Sequence, residues 1–273
     1  MVEVLVHFVV PALVGVLIGI ASGLLGIGGG TVMVPIFRLA FGMSATMSTA
    51  TSLFAIIPTS ISGAISHVKG KTCIPALGIA AGLGGACLSP VGVWLAQLSP
   101  DWLVMLAAAL IIGYSAINMF KKAFKLRSAG QPAAGADASA PAADDSSLSR
   151  KQLLQGAAIG LVAGLASGYV GVGGGFIMVP LMLSIIGIPM RKASGTSLIA
   201  VMILAIPGVI EQGIIGNINY LAGIAIVIGT IPGAVIGARL VTKVPERTLR
   251  LLFGCFLIVA AVMLVLNEVG VLG

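Results

Sequence analysis

Residues 23–35 read GLLGIGGGTVMVP, and residues 168–180 read GYVGVGGGFIMVP. The two stretches lie 145 residues apart, and the same offset aligns Thr51-Ser52-Leu53 with Thr196-Ser197-Leu198. A shared apolar composition would produce scattered identities, whereas ordered Gly, Pro and Thr-Ser blocks at one fixed offset indicate a duplication. The chain is therefore expected to contain two homologous repeats.

The composition indicates that these repeats lie in a membrane. Of the 273 residues, 58% are hydrophobic and only 8% are charged, and the mean hydropathy is +1.16. Soluble domains carry roughly 25% charged residues, which cover their surface. The composition therefore excludes a soluble enzyme, a nucleic-acid-binding protein and a disordered chain. The net charge of +7 comes from only 15 Lys and Arg residues, so their positions matter more than their sum.

The apolar segments predict an all-α polytopic membrane protein with eight to ten membrane segments. About 20 residues of helix span the hydrocarbon layer. Long segments are predicted at 5–26, 46–67, 73–97, 101–120, 153–171, 193–215, 219–241 and 248–267. A shorter piece follows the glycine cluster in each half, at 31–43 and 176–188. Each short piece is expected to be a tilted or broken span, or part of a re-entrant hairpin.

One hydrophilic stretch separates the repeats. Residues 125–151 run through AGQPAAGADASAPAADDSS, a composition that cannot bury a core and is typical of a flexible linker. We therefore predict a first transmembrane repeat at 1–124, a linker at 125–151 and a second transmembrane repeat at 152–273.

Basic residues in the short loops suggest that the repeats are inverted. Lys69 and Lys71 lie in a loop whose counterpart, 213–217, carries no Lys or Arg, whereas Arg191 and Lys192 lie where the first repeat has none. Short-loop Lys and Arg mark the cytoplasmic side, so equivalent loops are expected on opposite faces. This requires five crossings per repeat, with a cytoplasmic linker. If the short pieces are instead re-entrant, the repeats have four crossings each and are parallel.

The glycine clusters are the first candidate site. Glycine destabilises a helix by about 1 kcal/mol relative to alanine, so consecutive glycines predict a helix break. The helix that begins after the break would point its N–H groups and positive dipole end at it, and such ends bind anions. The alternative is that the glycines only allow close helix packing. The candidate residues are Gly28, Gly29, Gly30 and Thr31 in the first repeat and Gly173, Gly174 and Gly175 in the second.

Paired hydroxyls and one arginine complete the candidate anion site. Thr51, Ser52, Thr196 and Ser197 recur at the repeat offset, and their hydroxyls are able to donate to an oxyanion or to bond back to their own helix. Arg38 is a cation inside an apolar segment. It is a functional candidate, or it snorkels to the membrane surface.

The inventory of reactive residues argues against an enzyme. The chain has two histidines, His7 and His67, and it lacks Gly-x-Ser-x-Gly, HExxH and Walker motifs. His67, beside Lys69 and Lys71, is interpreted as a loop histidine rather than a proton relay. The three cysteines form no CxxC pair, so neither a zinc site nor a disulfide framework is predicted. We expect no cofactor and no metal.

The doubled Gly-x-Gly-Gly-Gly-x5-Pro motif resembles the sulfite exporter TauE/SafE family of membrane transporters. The Thr-Ser pairs at 51–52 and 196–197 and the Gly-Asn-Ile-Asn run at 216–219 are also similar to that family. The resemblance covers both repeats. It implies transport of sulfite, organosulfonates or other small sulfur-containing anions across a prokaryotic cytoplasmic membrane.

These observations predict a secondary transporter that exports a small sulfur-containing anion by alternating access of the two repeats. A negative cell interior drives a monoanion outward by about 2.3 kcal/mol per 100 mV, so export needs no coupling ion. The alternatives are an ion-coupled uptake permease for a sulfonate or another small anion, a channel, and a membrane subunit that scaffolds a partner without transporting.

Overall fold

The computed structural model describes residues 10–128 and 149–268, which form ten helices and no strand. Numbered in chain order, these are α1 (Val10–Leu25), α2 (Gly30–Phe41), α3 (Ala45–Lys69), α4 (Pro75–Leu98), α5 (Asp101–Ser128), α6 (Arg150–Val170), α7 (Gly175–Leu181), α8 (Met190–Ile215), α9 (Tyr220–Leu240) and α10 (Glu246–Glu268). A π-helical turn, Met182–Ile186, continues α7. The all-α polytopic class predicted from the sequence is confirmed.

Seven of the described helices are long and apolar enough to cross a membrane. Three further apolar helices are shorter. They are α1, α2, and α7 together with its π-helical turn. The predicted segment at 5–26 therefore begins outside the described residues, since α1 is described from Val10. Both short pieces predicted after the glycine clusters are helices that begin at the last glycine of the cluster.

The helix starts follow the spacing of the repeated sequence blocks. Gly30 and Gly175 begin α2 and α7, and Asp101 and Glu246 begin α5 and α10, each pair 145 residues apart. The acids at these two starts have equivalent partners. Asp101 accepts a hydrogen bond from the N–H of Ala45 at the start of α3, and Glu246 accepts one from the N–H of Met190 at the start of α8. Each acid therefore caps the central helix of its own half.

The halves pack through glycine-lined contacts. The α1 helix lies against α9, and α6 lies against α4. A Cβ on Gly160 or Gly164 of α6 would overlap the carbonyl oxygens of Ala81 or Gly85 of α4. Gly19 of α1 has the same relation to the Thr230 carbonyl of α9. Small residues let helix backbones approach this closely in membranes, so these glycines allow close packing across the two halves.

The helices α3 and α8 form the centre and run antiparallel. Thr51 near the start of α3 accepts a hydrogen bond from the N–H of Asn219, beyond the end of α8, at 3.0 Å. Thr196 near the start of α8 accepts one from the N–H of Ile74, beyond the end of α3, at 2.9 Å. The end of each central helix therefore lies beside the start of the other.

The predicted linker is helical at both of its ends. The α5 helix continues through Ser128, because the sequence offers no helix breaker before Gly130. The α6 helix begins at Arg150 after a capping box formed by Ser149 and Gln152. Residues 129–148, which make up most of the predicted linker, lie outside the described residues.

Candidate functional site

Each half of the chain has a break between two helices at its glycine cluster. Gly26, Gly28 and Gly29 have φ of 76°, 80° and 86°, and Gly171, Gly173 and Gly174 have φ of 72°, 88° and 70°. L-residues with a side chain lose about 1–2 kcal/mol in this left-handed region, so glycine is the residue that suits these positions. The predicted helix breaks are therefore present in both halves of the chain.

The two breaks lie against each other at the centre of the molecule. A Cβ on Gly30 would lie 2.5 Å from the Val172 carbonyl oxygen, and one on Gly175 would lie 2.9 Å from Cα of Ile27. These contacts leave no room for a side chain at either glycine. The last glycine of each break therefore packs directly on the backbone of the other break.

Two apolar side chains cover both breaks. Ile56 of α3 and Val201 of α8 are 145 residues apart and fully buried. A Cβ on Gly28 would lie 3.0 Å from Val201 Cγ1 and 3.3 Å from Ile56 Cγ2, and a Cβ on Gly173 would lie 2.9 Å from Ile56 Cδ1 and 3.5 Å from Val201 Cγ1. The same pair therefore lies beside equivalent glycines in both halves.

The first break presents the start of a helix of three turns. Within α2, the first bonds run from the N–H groups of Val32 and Met33 to the Gly29 carbonyl, each at 3.2 Å. The N–H groups of Gly30 and Thr31 precede these bonds, and N–H groups in this position have no acceptor inside their own helix. The α7 helix and the π-helical turn that continues it extend over Gly175–Ile186, so the second break presents the start of a helix of similar length.

Seven buried hydroxyls have no hydrogen-bond partner among the described residues, and all are 0% exposed. They are Ser22, Thr31, Ser48, Ser52, Ser60, Ser89 and Ser167. Two are directly placed at the first break, because a Cβ on Gly28 would lie 3.4 Å from Ser60 Oγ and one on Gly29 would lie 3.7 Å from Ser22 Cβ. A buried hydroxyl without a partner costs about 1–3 kcal/mol, so the two at the break are candidate donors to a ligand.

The four hydroxyls predicted from the sequence have three different environments. Thr51 and Thr196 accept the bonds that hold the starts of α9 and α4. Ser197 donates to the Gly26 carbonyl at 2.7 Å and to the Ser194 carbonyl at 2.8 Å, so it holds the first break in shape. Ser52, its counterpart, is one of the seven hydroxyls without a partner.

Arg38 lies away from the breaks. It is half-buried in the last turn of α2, eight residues after Gly30, which corresponds to about 12 Å along the helix at 1.5 Å per residue. The structure therefore brings the glycines of the two breaks together, with Thr31 directly after the first break. Ser52 lies on α3, one turn before Ile56, and Arg38 lies at the other end of α2.

Sequence reasoning missed five of the seven unpartnered hydroxyls, including three on α1, α3 and α6. Ser22 and Ser167 are equivalent and lie in the repeated Ala-Ser-Gly blocks before each glycine cluster, so their repetition was a usable signal. Ser60 has Ala205 as its counterpart and lies eight residues after Ser52 on α3. Only the tertiary packing of α3 against the first break identifies it.

The chemical character of the breaks is that of a neutral donor site. Their residues carry hydroxyls, peptide N–H groups and apolar side chains, and none of the glycine, Ser, Thr, Ile or Val residues named above is ionisable. Within residues 10–128 and 149–268, no group of three His, Cys, Asp or Glu side chains is placed to hold a metal ion. The arrangement suits a ligand that accepts hydrogen bonds.

Comparison with known proteins identifies the family. The sequence profile of the family described as "Sulfite exporter TauE/SafE" matches residues 11–264. The chain is 27% identical to the probable membrane transporter protein YunE of Bacillus subtilis, over 94% of this chain and 97% of the relative. It is 29% identical to a probable membrane transporter protein of Haemophilus influenzae, over 92% of this chain and 95% of the relative.

A second Bacillus subtilis relative, the probable membrane transporter protein YdhB, is 28% identical over 87% of this chain and 92% of the relative. No solved structure matches the chain. The family and these relatives are membrane transporters rather than enzymes, as the lack of catalytic motifs predicted. The profile covers both halves and both glycine breaks, and the chain therefore belongs to the sulfite exporter TauE/SafE family of membrane transporters.

Proposed function

We propose that this transporter exports a small sulfur-containing oxyanion, sulfite or an organosulfonate, across the cytoplasmic membrane. The observation that carries the proposal is the set of unpartnered buried hydroxyls where the two glycine breaks meet. Ser22, Thr31 and Ser60 each have a hydroxyl with no hydrogen-bond partner among the described residues. A bound oxyanion, with several acceptor oxygens, would satisfy them together with the N–H groups at the start of α2.

The neutral character of the site favours a singly charged ligand that is released readily. Burying an ion without hydrogen bonds is very costly, but hydroxyl and peptide donors offset much of that cost without adding a fixed positive charge. A buried arginine or lysine would hold the anion more tightly and slow its release. Sulfonates and hydrogen sulfite are small monoanions with several oxygens, and they match this arrangement.

Transport requires the buried site to open to each side in turn, and we propose that the two repeats move against each other to do so. The antiparallel central helices support an inverted arrangement of the repeats, because the end of α3 lies beside the start of α8 and the reverse also holds. Inverted repeats with a central site at broken helices are a recurring plan of secondary transporters. In this arrangement the linker at 125–151 is cytoplasmic.

Export is the direction that the site chemistry favours. The membrane potential drives a monoanion out of the cell by about 2.3 kcal/mol per 100 mV, which needs no coupling ion. No cluster of acidic residues that would bind a cation occurs among the described residues. Uptake against the potential would need such a coupling ion.

The test is sulfite flux in liposomes that contain only this protein, under an imposed potential and without other ion gradients. The key variant is Ser60→Ala, because Ala205 occupies the equivalent position in the second repeat and the change only removes a hydroxyl. Loss of one donor to an anion, worth about 1.5–3 kcal/mol, should lower the apparent affinity by at least tenfold.

The matched control is Ser62→Ala, two residues further along α3. Its hydroxyl donates to the Ile231 carbonyl at 2.8 Å and does not face the breaks. Wild-type affinity in the Ser60 variant, or an equal loss in the Ser62 variant, would contradict the proposed site. Flux that appears only with a proton or sodium gradient would replace export with coupled uptake, and single-channel currents would indicate a channel. If purified protein transports nothing in a screen of small anions, the scaffold alternative is favoured.

A further inference from the structure

His67 is a buried titratable residue that the proposed transport site does not use. It lies in the last turn of α3 and is 0% exposed, so its interpretation as a loop histidine is wrong. Its Nε2 lies 2.7 Å from the Gly23 carbonyl oxygen of α1, and its Nδ1 lies 2.7 Å from Thr72 Oγ1. A Cβ on Gly195 of α8 would lie 2.8 Å from the imidazole Cγ. The ring therefore joins three elements.

The bond to Gly23 is made just before the first glycine break. Gly23 is three residues before Gly26, where α1 has ended, and the last four carbonyls of a helix lack an intrahelical partner. Because the Gly23 carbonyl is an acceptor only, Nε2 must carry a proton and donate to it. His67 therefore fixes the end of α1 to the end of α3, and through α1 it positions the break.

The second repeat has an amide at the equivalent position. Gln212 is the counterpart of His67 and Asn217 is the counterpart of Thr72. Gln212 is also buried, and its Oε1 accepts a hydrogen bond from Asn217 Nδ2 at 2.8 Å. This bond corresponds to the one between His67 and Thr72, so a neutral amide is sufficient for that contact, and the histidine adds a proton-binding atom, Nδ1, to the first repeat alone.

We propose that His67 is a proton-responsive positioning residue that makes transport sensitive to pH. This inference rests on the proposed transport function, because it concerns the opening of that same site. In the neutral ring, Nε2–H donates to Gly23 and Nδ1 accepts from the Thr72 hydroxyl. When Nδ1 takes up a proton, it donates to Thr72 Oγ1, and the hydroxyl turns to the His67 carbonyl, which lies 3.3 Å away.

Both protonation states are therefore satisfied without moving a heavy atom. The charged ring makes the stronger bond to Gly23, because hydrogen bonds from charged donors are about twice as strong as neutral ones. Proton uptake thus tightens the connection between α1 and α3, and proton release loosens it. Since the two halves must move during transport, flux should fall on acidification.

The charged groups around the ring are cations. Lys69, on the same helix, and Lys71, in the turn that follows it, are both exposed. A Cβ on Gly195 of α8 would lie 2.8 Å from Cβ of Cys73. The start of α8 carries Arg191 and Lys192, and Arg239 follows the part of α9 that packs on Gly23. The described part of α1 carries no ionisable side chain. Burial of the ring and the nearby cations oppose its protonation, whereas the two oxygens bonded to its nitrogens favour it.

The first test observes the histidine directly and does not depend on transport. His7 is the chain's other histidine, so a His7→Asn variant with 15N-labelled histidine gives one imidazole signal by solid-state NMR in liposomes. We expect a neutral ring with the proton on Nε2 at about pH 8 and a ring protonated on both nitrogens at about pH 5, across the range in which histidine titrates. A ring that stays neutral throughout, or that carries its proton on Nδ1, overturns the inference.

The second test compares sulfite flux at equal pH on both sides of the membrane. We expect wild-type and His7→Asn flux to fall about fivefold from about pH 8 to about pH 5.5, corresponding to about 1 kcal/mol. His67→Gln should keep substantial flux, as Gln212 indicates, and lose the pH dependence. An unchanged pH profile in His67→Gln overturns the inference.

A further variant covers the case in which His67→Gln does not fold. Thr72→Val removes the partner of Nδ1 and keeps the bond to Gly23, so it should shift the NMR titration and the flux profile in the same direction. A profile that does not move with the NMR titration overturns the inference. If wild-type protein moves no sulfite at any pH, the proposed function fails, whereas the NMR titration still decides whether His67 binds a proton.

Discussion

Substitution of Gly28 by alanine separates a role in the site from a role in backbone geometry. Gly28 has a φ of 80°, and so does Gly187, which has nothing within 4 Å of an added Cβ. Either substitution forces alanine into the left-handed region at about 1–2 kcal/mol. At Gly28 the new Cβ would also lie 3.0 Å from Val201 Cγ1, 3.3 Å from Ile56 Cγ2 and 3.4 Å from Ser60 Oγ. Such overpacking adds about 1–3 kcal/mol.

The methyl group at Gly28 would occupy space beside the Ser60 hydroxyl, where the proposed anion binds. We therefore expect Gly28→Ala to reduce sulfite flux in liposomes by more than tenfold, and Gly187→Ala to retain flux close to wild type at a similar protein density. Thermal unfolding in detergent measures the stability of each variant. Comparable flux in the two variants, with both folded, would refute the assignment of the first break as the binding site.

Three further predictions concern helix packing, helix starts and topology. Gly164→Ala should strongly reduce the yield of folded protein, because the new Cβ would overlap the Gly85 carbonyl. Gly113 has open space around it, so Gly113→Ala should raise the free energy of unfolding by up to about 1 kcal/mol through helix propensity. Size-exclusion profiles and unfolding temperatures check both predictions. Thr196→Val should lower the free energy of unfolding by about 1–3 kcal/mol by leaving the N–H of Ile74 without its acceptor, as measured by thermal unfolding. A cysteine introduced between residues 129 and 148 of a cysteine-free variant should be protected from an impermeant maleimide in intact cells and react after lysis; labelling in intact cells would contradict a cytoplasmic linker.

The positions of the helices could be predicted almost completely from the sequence. Hydrophobic length identified each segment, and the glycine clusters marked where the short helices begin, because backbone conformation at Gly28 or Gly173 depends mainly on the residue itself. The predicted ends differ by a few residues, as at Ser128, where the helix continues into the predicted linker. Charge and composition change gradually there and do not mark where a helix ends.

The surroundings of the candidate site residues could be predicted only in part. The two glycine clusters of the repeated motif form breaks that lie against each other. Thr51 and Thr196, however, hold the starts of neighbouring helices, and a sequence pattern alone does not distinguish a hydroxyl that binds a ligand from one that accepts a backbone N–H. The partner atom lies more than 100 residues away in the chain, so the choice depends on packing.

The sequence by itself determined the membrane class, the helical segments and the glycine breaks, because hydropathy and the conformational freedom of glycine are local properties. Only the tertiary structure decided that the two breaks pack on each other, that Ser22 and Ser60 lie at the first of them, and that His67 is buried against Gly23. These relations depend on which helix faces lie against each other. Close contacts between small residues of the two halves set that packing, and no single segment specifies it.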